Sequence, residues 1–220
     1  MTELIRFDDV AVSVRDKVLL NDVSFALAAG EKAVLRGRSG SGKSTVLKTL
    51  LVLQALARGR ILFRGRPLAP ASIRVLLENA AYIGQEPILG AESVREALLL
   101  PFSFNAHRGR EPSEARLIEV LGSLALSPGL LGQSCASVSG GEKQRIALAR
   151  ALLLGKCLYL LDEVTSALDG ESKQAVFAVL ADPAFTVLSV AHDPDWIARC
   201  GVVYEMAEGR LTQEPRRGDA

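Results

Sequence analysis

The sequence of 220 residues has few aromatic residues and almost no net charge. Phenylalanine, tryptophan and tyrosine make up 5% of it, which argues against a surface that stacks nucleic-acid bases. The 26 lysine and arginine residues nearly balance the 25 aspartate and glutamate residues, so the net charge of +1 indicates no polyelectrolyte partner. We therefore expect a folded protein that does not bind nucleic acid.

Cysteine and histidine are also scarce. The three cysteines, Cys135, Cys157 and Cys200, lie far apart and form no CxxC pair, and there are only two histidines to complete a metal site. Reduced thiols in a cytosolic protein are the favoured interpretation, and a redox role is the alternative. We expect Cys157 to lie in a buried strand, as small apolar residues do.

Long apolar runs are missing as well. The N-terminal stretch MTELIRFDDV lacks a basic region followed by an apolar run, so we expect no secretory signal. The longest apolar stretch, from Ile146 to Leu161, is broken by Arg150 and Lys156 and is too short and too charged to span a bilayer. If a membrane is involved, another polypeptide supplies the span.

The apolar pattern that is present predicts an α/β protein. The stretches LIRFDDVAVSV and KVLLNDVSFAL alternate as antiparallel strands do, and GRILFRGRPL predicts another such strand. The stretch EKAVLRG predicts a buried strand that leads into a helix from Ser44 to about Leu56. The runs KCLYLLDE and FTVLSVAHD are continuously apolar, which is typical of a parallel sheet covered on both faces.

The segment between residues 85 and 139 contains no convincing strand. Ser93 and Glu96 have the spacing of a capping box, and a second helix is predicted from Pro112 to about Leu124. We predict one domain over residues 1–220, with a helical lobe at 88–149 inserted into a sheet core formed by 1–87 and 150–220. The polar tail, EGRLTQEPRRGDA, is expected to fray.

The strongest motif is GRSGSGKS, which matches G-x-x-x-x-G-K-[ST] between a predicted strand and a predicted helix. Its glycines let successive backbone N–H groups point at phosphate oxygens, while Lys43 bridges the β- and γ-phosphates and Ser44 offers its hydroxyl to Mg²⁺. An ordinary Gly/Ser turn is the alternative, which the flanking elements disfavour. The predicted nucleotide-binding residues are Gly37, Arg38, Ser39, Gly40, Ser41, Gly42, Lys43, Ser44 and Thr45.

Several polar residues follow predicted strands. Asp162 is expected to hold Mg²⁺ and Glu163 to orient or deprotonate the attacking water, although an acid pair can also simply hydrate a strand end. Gln85 could contact Mg²⁺ or its water, and His192 could hold the γ-phosphate or the water. Because the carboxyl ends of parallel strands share one sheet edge, we expect these residues to converge on the phosphate loop.

A second anion site is predicted where SVSGGEKQR leads into a helix. Ser139, Gly140 and Gly141 leave backbone N–H groups bare at the positive end of the helix dipole. We expect this anion to be a nucleotide phosphate too. Since the phosphate loop already cradles one side of that nucleotide, a second anion site implies two subunits.

These motifs, in this order and spacing, resemble the ATP-binding subunit of an ABC transporter. The resemblance rests on the phosphate loop, Gln85, SGGEKQRIALARAL, LYLLDEVTSALD and His192, and it covers nearly the whole chain. SGGEKQR is the specific part, because other phosphate-loop ATPases lack it. The resemblance implies a phosphate-loop NTPase (RecA-like) sheet core with an antiparallel β subdomain and an inserted helical lobe.

The same resemblance implies an activity and partners. ATP would be bound with Mg²⁺ and hydrolysed between two copies of the chain that pair head to tail. Ser139, Gly140 and Gly141 of one copy would close on the γ-phosphate held by the other, and Asp169 would lie at the dimer seam and link the two sites. A membrane subunit would dock its cytoplasmic helices near Gln85, in the cleft between sheet core and lobe, at the inner face of the cell membrane.

The match has departures. Three residues differ from those more usual in the family, and all three substitutions look tolerable: Val138, Glu142 and Val164. The consequential departure is that no aromatic lies between Phe7 and Phe25, where the family usually stacks one on adenine.

Within the family, GGEKQR, DEVTSALD and a short lobe with LPF resemble a bacterial exporter ATPase of the iron-export type. The alternative is a soluble ABC-type ATPase such as a DNA-repair clamp or a translation factor. Clamp proteins carry long coiled coils between the phosphate loop and the Ser-Gly-Gly motif. In this chain about 95 residues separate Ser44 from Ser139, and they contain no heptad run. Translation factors carry two cassettes, and this chain has one.

Overall fold

The chain contains both strands and helices, and the computed structural model describes residues 2–214. In chain order, the strands within this range are β1 (Glu3–Val14), β2 (Lys17–Ala28), β3 (Lys32–Arg36), β4 (Arg58–Phe63), β5 (Arg66–Pro67), β6 (Ala80–Ile83), β7 (Leu158–Asp162), β8 (Thr186–Val190), β9 (Val202–Ala207) and β10 (Arg210–Gln213). The α-helices are α1 (Lys43–Leu50), α2 (Pro70–Asn79), α3 (Val94–Leu99), α4 (Glu114–Ser123), α5 (Gly140–Leu153), α6 (Gly170–Leu180) and α7 (Pro194–Arg199). Short 3₁₀ helices cover Leu100–Ser103 and Pro128–Gly132.

The strands form two sheets. The four-stranded sheet has the order β2-β1-β4-β5 with antiparallel pairs, and the six-stranded sheet has the order β10-β9-β3-β8-β7-β6. In the second sheet β3 runs parallel to β8 and β9, and β7 runs parallel to β8. The predicted fold class, an α/β phosphate-loop NTPase core with an antiparallel β subdomain and a helical lobe, is therefore confirmed.

Burial explains why the central strands read as continuous apolar runs. Every residue of β7 and β8 is buried. A strand covered on both faces has no solvent side on which to alternate polar residues. In contrast, β1 alternates buried with more exposed residues, as expected for a strand with one face on the core.

The described chain folds as two compact units. The first comprises the described parts of Met1–Tyr82, Cys157–Glu163 and Pro183–Ala220, and the second comprises Ile83–Lys156 and Val164–Asp182. The first unit contains the sheets apart from the last residue of β6, and the second contains α3, α4, α5 and α6. The predicted division at 87/88 and 149/150 stays a prediction about domain organisation.

A single hydrophobic cluster joins the sheets of the first unit with α1 and α2. Phe7 stacks on Phe25 with ring centroids 4.6 Å apart, and Phe25 lies 5.1 Å from the Tyr204 ring. The Tyr204 hydroxyl donates to the Ala26 carbonyl oxygen at 2.9 Å, so β9 is tied to β2 by a hydrogen bond as well as by ring packing. This cluster supports the strands from which the site residues emerge.

The second unit is helical, as predicted. Apart from an isolated bridge between Ser93 and Ser134, the described residues between 85 and 139 form no strand. The predicted capping box is present, because the Ser93 hydroxyl accepts from the Glu96 N–H and Glu96 accepts from the Ser93 N–H. Buried Arg145 donates to the carbonyl oxygens of Leu124 and Ala125 at 3.1 and 2.7 Å, which joins α5 to the end of α4.

Several local predictions were wrong. The helix after the phosphate loop ends at Leu50 rather than near Leu56, because Val52 adopts a left-handed backbone conformation with φ of 60°. Cys157 is only half-buried and precedes β7 instead of lying within it. The tail begins with an ordered strand, β10, while its last six residues, 215–220, lie outside the described range.

Candidate active site

The phosphate loop connects β3 to α1 through backbone positions that require glycine. Gly37 has φ of 135°, and a Cβ there would lie 2.1 Å from the Met206 carbonyl oxygen. Gly42 has φ of 109°, and its Cβ would lie 2.9 Å from the Leu19 carbonyl oxygen. Both conformations are unfavourable for any other residue, so the motif glycines let the loop pack against β2 and β9 while it wraps.

The inside of this loop suits an anion. Lys43 is 6% exposed, and its ammonium donates to the Gly37 and Arg38 carbonyl oxygens at 2.8 and 2.9 Å. The Ser41 hydroxyl is buried with no hydrogen-bond partner within the described residues. The first turn of α1 carries no acidic residue, so its N-terminal N–H groups and dipole favour negative charge. These features fit the phosphates of a nucleotide.

Asp162, at the end of β7, accepts hydrogen bonds through both carboxylate oxygens. Its Oδ1 accepts from the Ser44 hydroxyl at 3.0 Å, and its Oδ2 accepts from the Tyr82 hydroxyl at 3.2 Å. Burial, followed by the charge of Asp162, raises the pKa of Tyr82 to about 12, so the phenol is a donor near neutral pH. A hydroxyl and a carboxylate are oxygen ligands of the kind that Mg²⁺ prefers.

Glu163 follows Asp162 in an unusual backbone conformation. Its φ is 56°, in the left-handed region, and its N–H donates to the Val190 carbonyl oxygen at 2.9 Å. Its carboxylate lies 3.9 Å from Nε2 of His192, with 30% of the Glu163 side chain and 57% of the His192 side chain exposed. Both side chains are therefore accessible to solvent and close to each other beyond the ends of β7 and β8.

Strand register brings part of the predicted site to one sheet edge. Asp162 pairs with Val190, and Val190 pairs with Leu35, so β7, β8 and β3 end side by side. Asp162 is the last residue of β7, and the phosphate loop, Glu163 and His192 follow the strand ends within the first unit. Gln85 follows β6 in the second unit, so its convergence with them stays a prediction.

Ser139 caps the start of α5 in the second unit. Its hydroxyl accepts from the Glu142 N–H at 3.2 Å, and Glu142 accepts from the Ser139 N–H at 2.7 Å. The two glycines that follow differ in their surroundings. A Cβ on Gly141 would lie 2.8 Å from the Ala167 carbonyl oxygen, whereas a Cβ on Gly140 would meet no described atom within 4 Å. Gly141 is required by packing within the chain, and Gly140 is not.

Asp169 is the N-cap of α6. Its carboxylate accepts from the Ser172 N–H at 2.8 Å, and hydrogen bonds from Ser172 lower the pKa of Asp169 below its usual value. Asp169 is therefore held as an ionised carboxylate at the surface of the second unit.

Gln85 borders an open groove within the second unit. The groove has a volume of about 680 Å³ and is lined by residues from 85–90, 135–144 and 166–167. The Gln85 carbonyl oxygen accepts from Nε2 of buried Gln144 at 3.0 Å, which ties the segment after β6 to α5. Ile88, on this segment, is 86% exposed. The groove thus presents an apolar side chain to solvent.

Sequence reasoning missed Tyr82 and Gln144. Tyr82 lies three residues before Gln85, and Gln144 lies in the motif SGGEKQR, but their hydrogen bonds join residues far apart in the chain. The only available signal was that Tyr82 is a polar-tipped residue in a short strand.

We expect the two glycines of the α5 N-terminus to respond differently to alanine. Gly141→Ala forces its methyl group against the Ala167 carbonyl oxygen and should lower the free energy of unfolding by about 1–3 kcal/mol, as overpacking typically does. Gly140→Ala, the matched control, should leave it unchanged or slightly raised. Thermal and urea unfolding measure both. Equal losses would contradict the difference in packing.

Comparison with known proteins identifies the family. Residues 20–166 match the family model described as ABC transporter. The chain is 33% identical to the "Probable iron export ATP-binding protein FetA" of Escherichia coli (strain K12), over 98% of this chain and 93% of that protein. It is 30% identical to the "Iron-sulfur clusters transporter ATM1, mitochondrial" of Candida albicans (strain SC5314 / ATCC MYA-2876), over 96% of this chain but 29% of that protein.

Solved structures give the same fold. The structure described as "a bacterial Atm1-family ABC exporter with ATP bound" superposes with a TM-score of 0.84 at 27% identity, over 96% of this chain and 38% of that one. A dimeric ATP-binding cassette in a post-hydrolysis state with ADP and Pi has the same TM-score at 24% identity, over 98% of this chain and 100% of that one. The chain belongs to the ABC transporter family, as an ATP-hydrolysing nucleotide-binding domain of the exporter type.

Proposed function

We propose that the chain powers transport through a separate membrane subunit by closing with a second copy of itself around ATP. The observation that carries this proposal is that the predicted site residues are divided between the two units of the chain. The phosphate loop, Asp162 and Glu163 lie in the first unit, whereas the capped helix start with the open Gly140 lies in the second. In a head-to-tail pair, each nucleotide would contact the phosphate loop of one copy and the α5 N-terminus of the other.

The first unit would hold the nucleotide and its metal. The N–H groups of the phosphate loop and the ammonium of Lys43 would bind the phosphates, and Thr45 would follow them in the first turn of α1. Ser44 and Asp162 would hold Mg²⁺, with Gln85 as a further ligand. The metal, when bound, would neutralise negative charge on the β- and γ-phosphates. Because the Ser44 hydroxyl donates its hydrogen bond to Asp162, the lone pairs of the Ser44 oxygen face away from that bond and remain available.

Glu163 would take the proton of the attacking water. Its left-handed backbone turns its side chain away from the extended path of β7 at the strand end. His192, 3.9 Å away, would hold the γ-phosphate or the same water. A partly exposed carboxylate next to an imidazole is a reasonable pair for orienting a water molecule and accepting its proton.

Ser139, Gly140 and Gly141 would act on the nucleotide bound by the other copy. The α5 N-terminus offers backbone N–H groups, and the space around Gly140 leaves room for a phosphate to approach. Asp169, fixed as an ionised cap of α6, would lie at the dimer seam and link the two sites.

The groove beside Gln85 would receive a cytoplasmic helix of the membrane subunit. Its volume of about 680 Å³ and the exposed Ile88 suit an apolar side chain from a docking helix. No helix within residues 2–214 is long and apolar enough to cross a membrane. The chain would then act at the inner face of the cell membrane, attached through this groove.

Iron export is the transport function we favour. Its support is the likeness to the iron-export ATP-binding protein, which extends over 93% of that protein. Reconstitution with a membrane protein that co-purifies with this chain from a detergent extract, followed by metal-efflux assays in vesicles, tests the substrate class.

Glu163→Gln should nearly abolish hydrolysis without preventing ATP binding. The amide keeps the shape of the side chain but cannot accept the proton, and loss of a general base typically lowers the rate by about 10²–10⁴. The variant should accumulate as an ATP-bound dimer, seen by phosphate release and size-exclusion chromatography. Glu119→Gln, which changes an exposed acid of α4, is the control. Near-wild-type turnover in Glu163→Gln would remove Glu163 from this role.

Ser139→Arg should block ATP-driven dimerisation while sparing ATP binding by the monomer. The bulky side chain would occupy the space that the partner's phosphate must enter. Since the change also removes a helix cap, worth about 0.5–2 kcal/mol, Ser113→Arg at the N-cap of α4 is the matched control. Light scattering measures dimerisation. If Ser139→Arg still dimerises with ATP, the proposal that this motif binds the partner's nucleotide is wrong.

A mixture of Ser139→Arg with Lys43→Ala should form heterodimers that contain one intact site. Each site combines the phosphate loop of one copy with the Ser-Gly-Gly motif of the other. In the heterodimer, one site therefore contains both substitutions and the other site contains neither. Dimers in the mixture but in neither variant alone would show that the motif acts across the seam.

The base of the nucleotide should meet aliphatic and basic side chains. The contact of Gly42 with β2 at Leu19 places the β1–β2 hairpin beside the phosphate loop. At the hairpin end, Val14 and Val18 are 44% and 59% exposed, and Arg15 lies in the turn. Phe7 cannot supply a stack as it lies, because it is 1% exposed and packed on Phe25.

We therefore expect weak nucleotide affinity and acceptance of GTP nearly as well as ATP. Base–aromatic stacking is worth about 1–3 kcal/mol, so its absence should weaken binding by about one to two factors of ten. Val14→Tyr should strengthen binding of both nucleotides, measured by calorimetric titration. Tight, ATP-selective binding by the wild type, with no gain in Val14→Tyr, would show that another element holds the adenine.

A further inference from the structure

The Asp162 carboxylate is fixed from two sides by neutral hydroxyl donors. Ser44 donates to Oδ1 at 3.0 Å and Tyr82 donates to Oδ2 at 3.2 Å. Asp162 is 8% exposed, so water can reach it only to a small extent. A carboxylate with one donor on each oxygen has its plane set, because rotation about the Cβ–Cγ bond would break both bonds.

Tyr82 reaches this carboxylate from the neighbouring strand. Tyr82 lies in β6 and Asp162 ends β7, and the two strands are adjacent in the sheet. The Tyr82 side chain remains 37% exposed, so its ring adds little to the hydrophobic core. Its hydroxyl, rather than its apolar surface, makes the specific contact at this edge of the sheet.

We propose that Tyr82 is a positioning residue that orients Asp162 for metal binding and thereby sets the Mg²⁺ affinity of the nucleotide site. This inference rests on the proposed function, in which Ser44 and Asp162 hold the metal. With Oδ2 held by Tyr82, Oδ1 faces Ser44, and the hydroxyl and carboxylate oxygens stay side by side. Without the phenol, the carboxylate can rotate and the pair loses its fixed geometry.

Partners of a metal ligand act on affinity rather than on folding alone. Removal of a hydrogen-bond partner of a ligand typically lowers metal affinity by about 10–100-fold. Because Tyr82 is partly exposed and water can replace part of its role, we expect an effect of about 10-fold. Binding of the nucleotide in the absence of metal, which the loop and Lys43 provide, should not change.

The experiment compares Tyr82→Phe with Tyr204→Phe. Tyr204 also donates one hydrogen bond in the first unit, to the Ala26 carbonyl oxygen, and lies outside the proposed site. A fluorescent non-hydrolysable ATP analogue is titrated with each protein in EDTA and then at increasing Mg²⁺. The Mg²⁺ concentration for half-maximal binding enhancement should rise about 10-fold in Tyr82→Phe and stay unchanged in Tyr204→Phe.

A double-mutant cycle shows whether Tyr82 acts through Asp162. In an Asp162→Ala background, Tyr82→Phe should cause no further shift in the Mg²⁺ midpoint. An unchanged midpoint in Tyr82→Phe, an equal shift in Tyr204→Phe, or a full shift in the Asp162→Ala background would each overturn the inference. A wild type that binds the analogue with no Mg²⁺ dependence would instead overturn the proposed metal site, and with it the inference.

Discussion

The hydrogen bond between Ser44 and Asp162 is the interaction on which the site depends. It joins the first turn of α1 to the end of β7, and the two residues are 118 positions apart in the chain. The bond is possible only because β8 lies between β3 and β7 in a fixed parallel register. A slip of one residue would turn Asp162 to the other face of the sheet, away from Ser44. The pairing register of β7 with β8 and of β8 with β3 thus determines where the carboxylate lies.

Much of this arrangement could be predicted because its causes are local. The phosphate loop follows from glycine spacing between a strand and a helix, and the capping box at Ser93 follows from the serine and glutamate three residues apart. The structure shows a second capping box, at Ser139 and Glu142, which has the same spacing but was not predicted. The central strands follow from continuous apolar runs. Each of these signals lies within about ten residues of chain, which is the range over which periodicity and capping act.

The elements that were missed depend on distant parts of the chain or have weak local patterns. Helix α2 buries only Leu76, so its sequence shows no clear apolar face. Strand β10 forms because Leu211 and its neighbours pair with β9, although the tail is polar. The Tyr82 contact with Asp162 crosses two strands that are separated by the whole helical lobe. No periodic pattern in one strand reports which side chain of the next strand it will meet.

The left-handed backbone of Glu163 has a consequence for how this position can vary. A non-glycine residue at φ of 56° is disfavoured by about 1–2 kcal/mol relative to ordinary conformations, because its Cβ approaches the neighbouring carbonyl oxygen. Glycine or asparagine would relieve that strain, yet neither carries a carboxylate. With Glu163 in the role proposed above, selection for thermostability and selection for turnover would pull this residue in opposite directions. A directed-evolution screen that rewards heat resistance alone would then favour replacements at this strand end that hydrolyse ATP slowly.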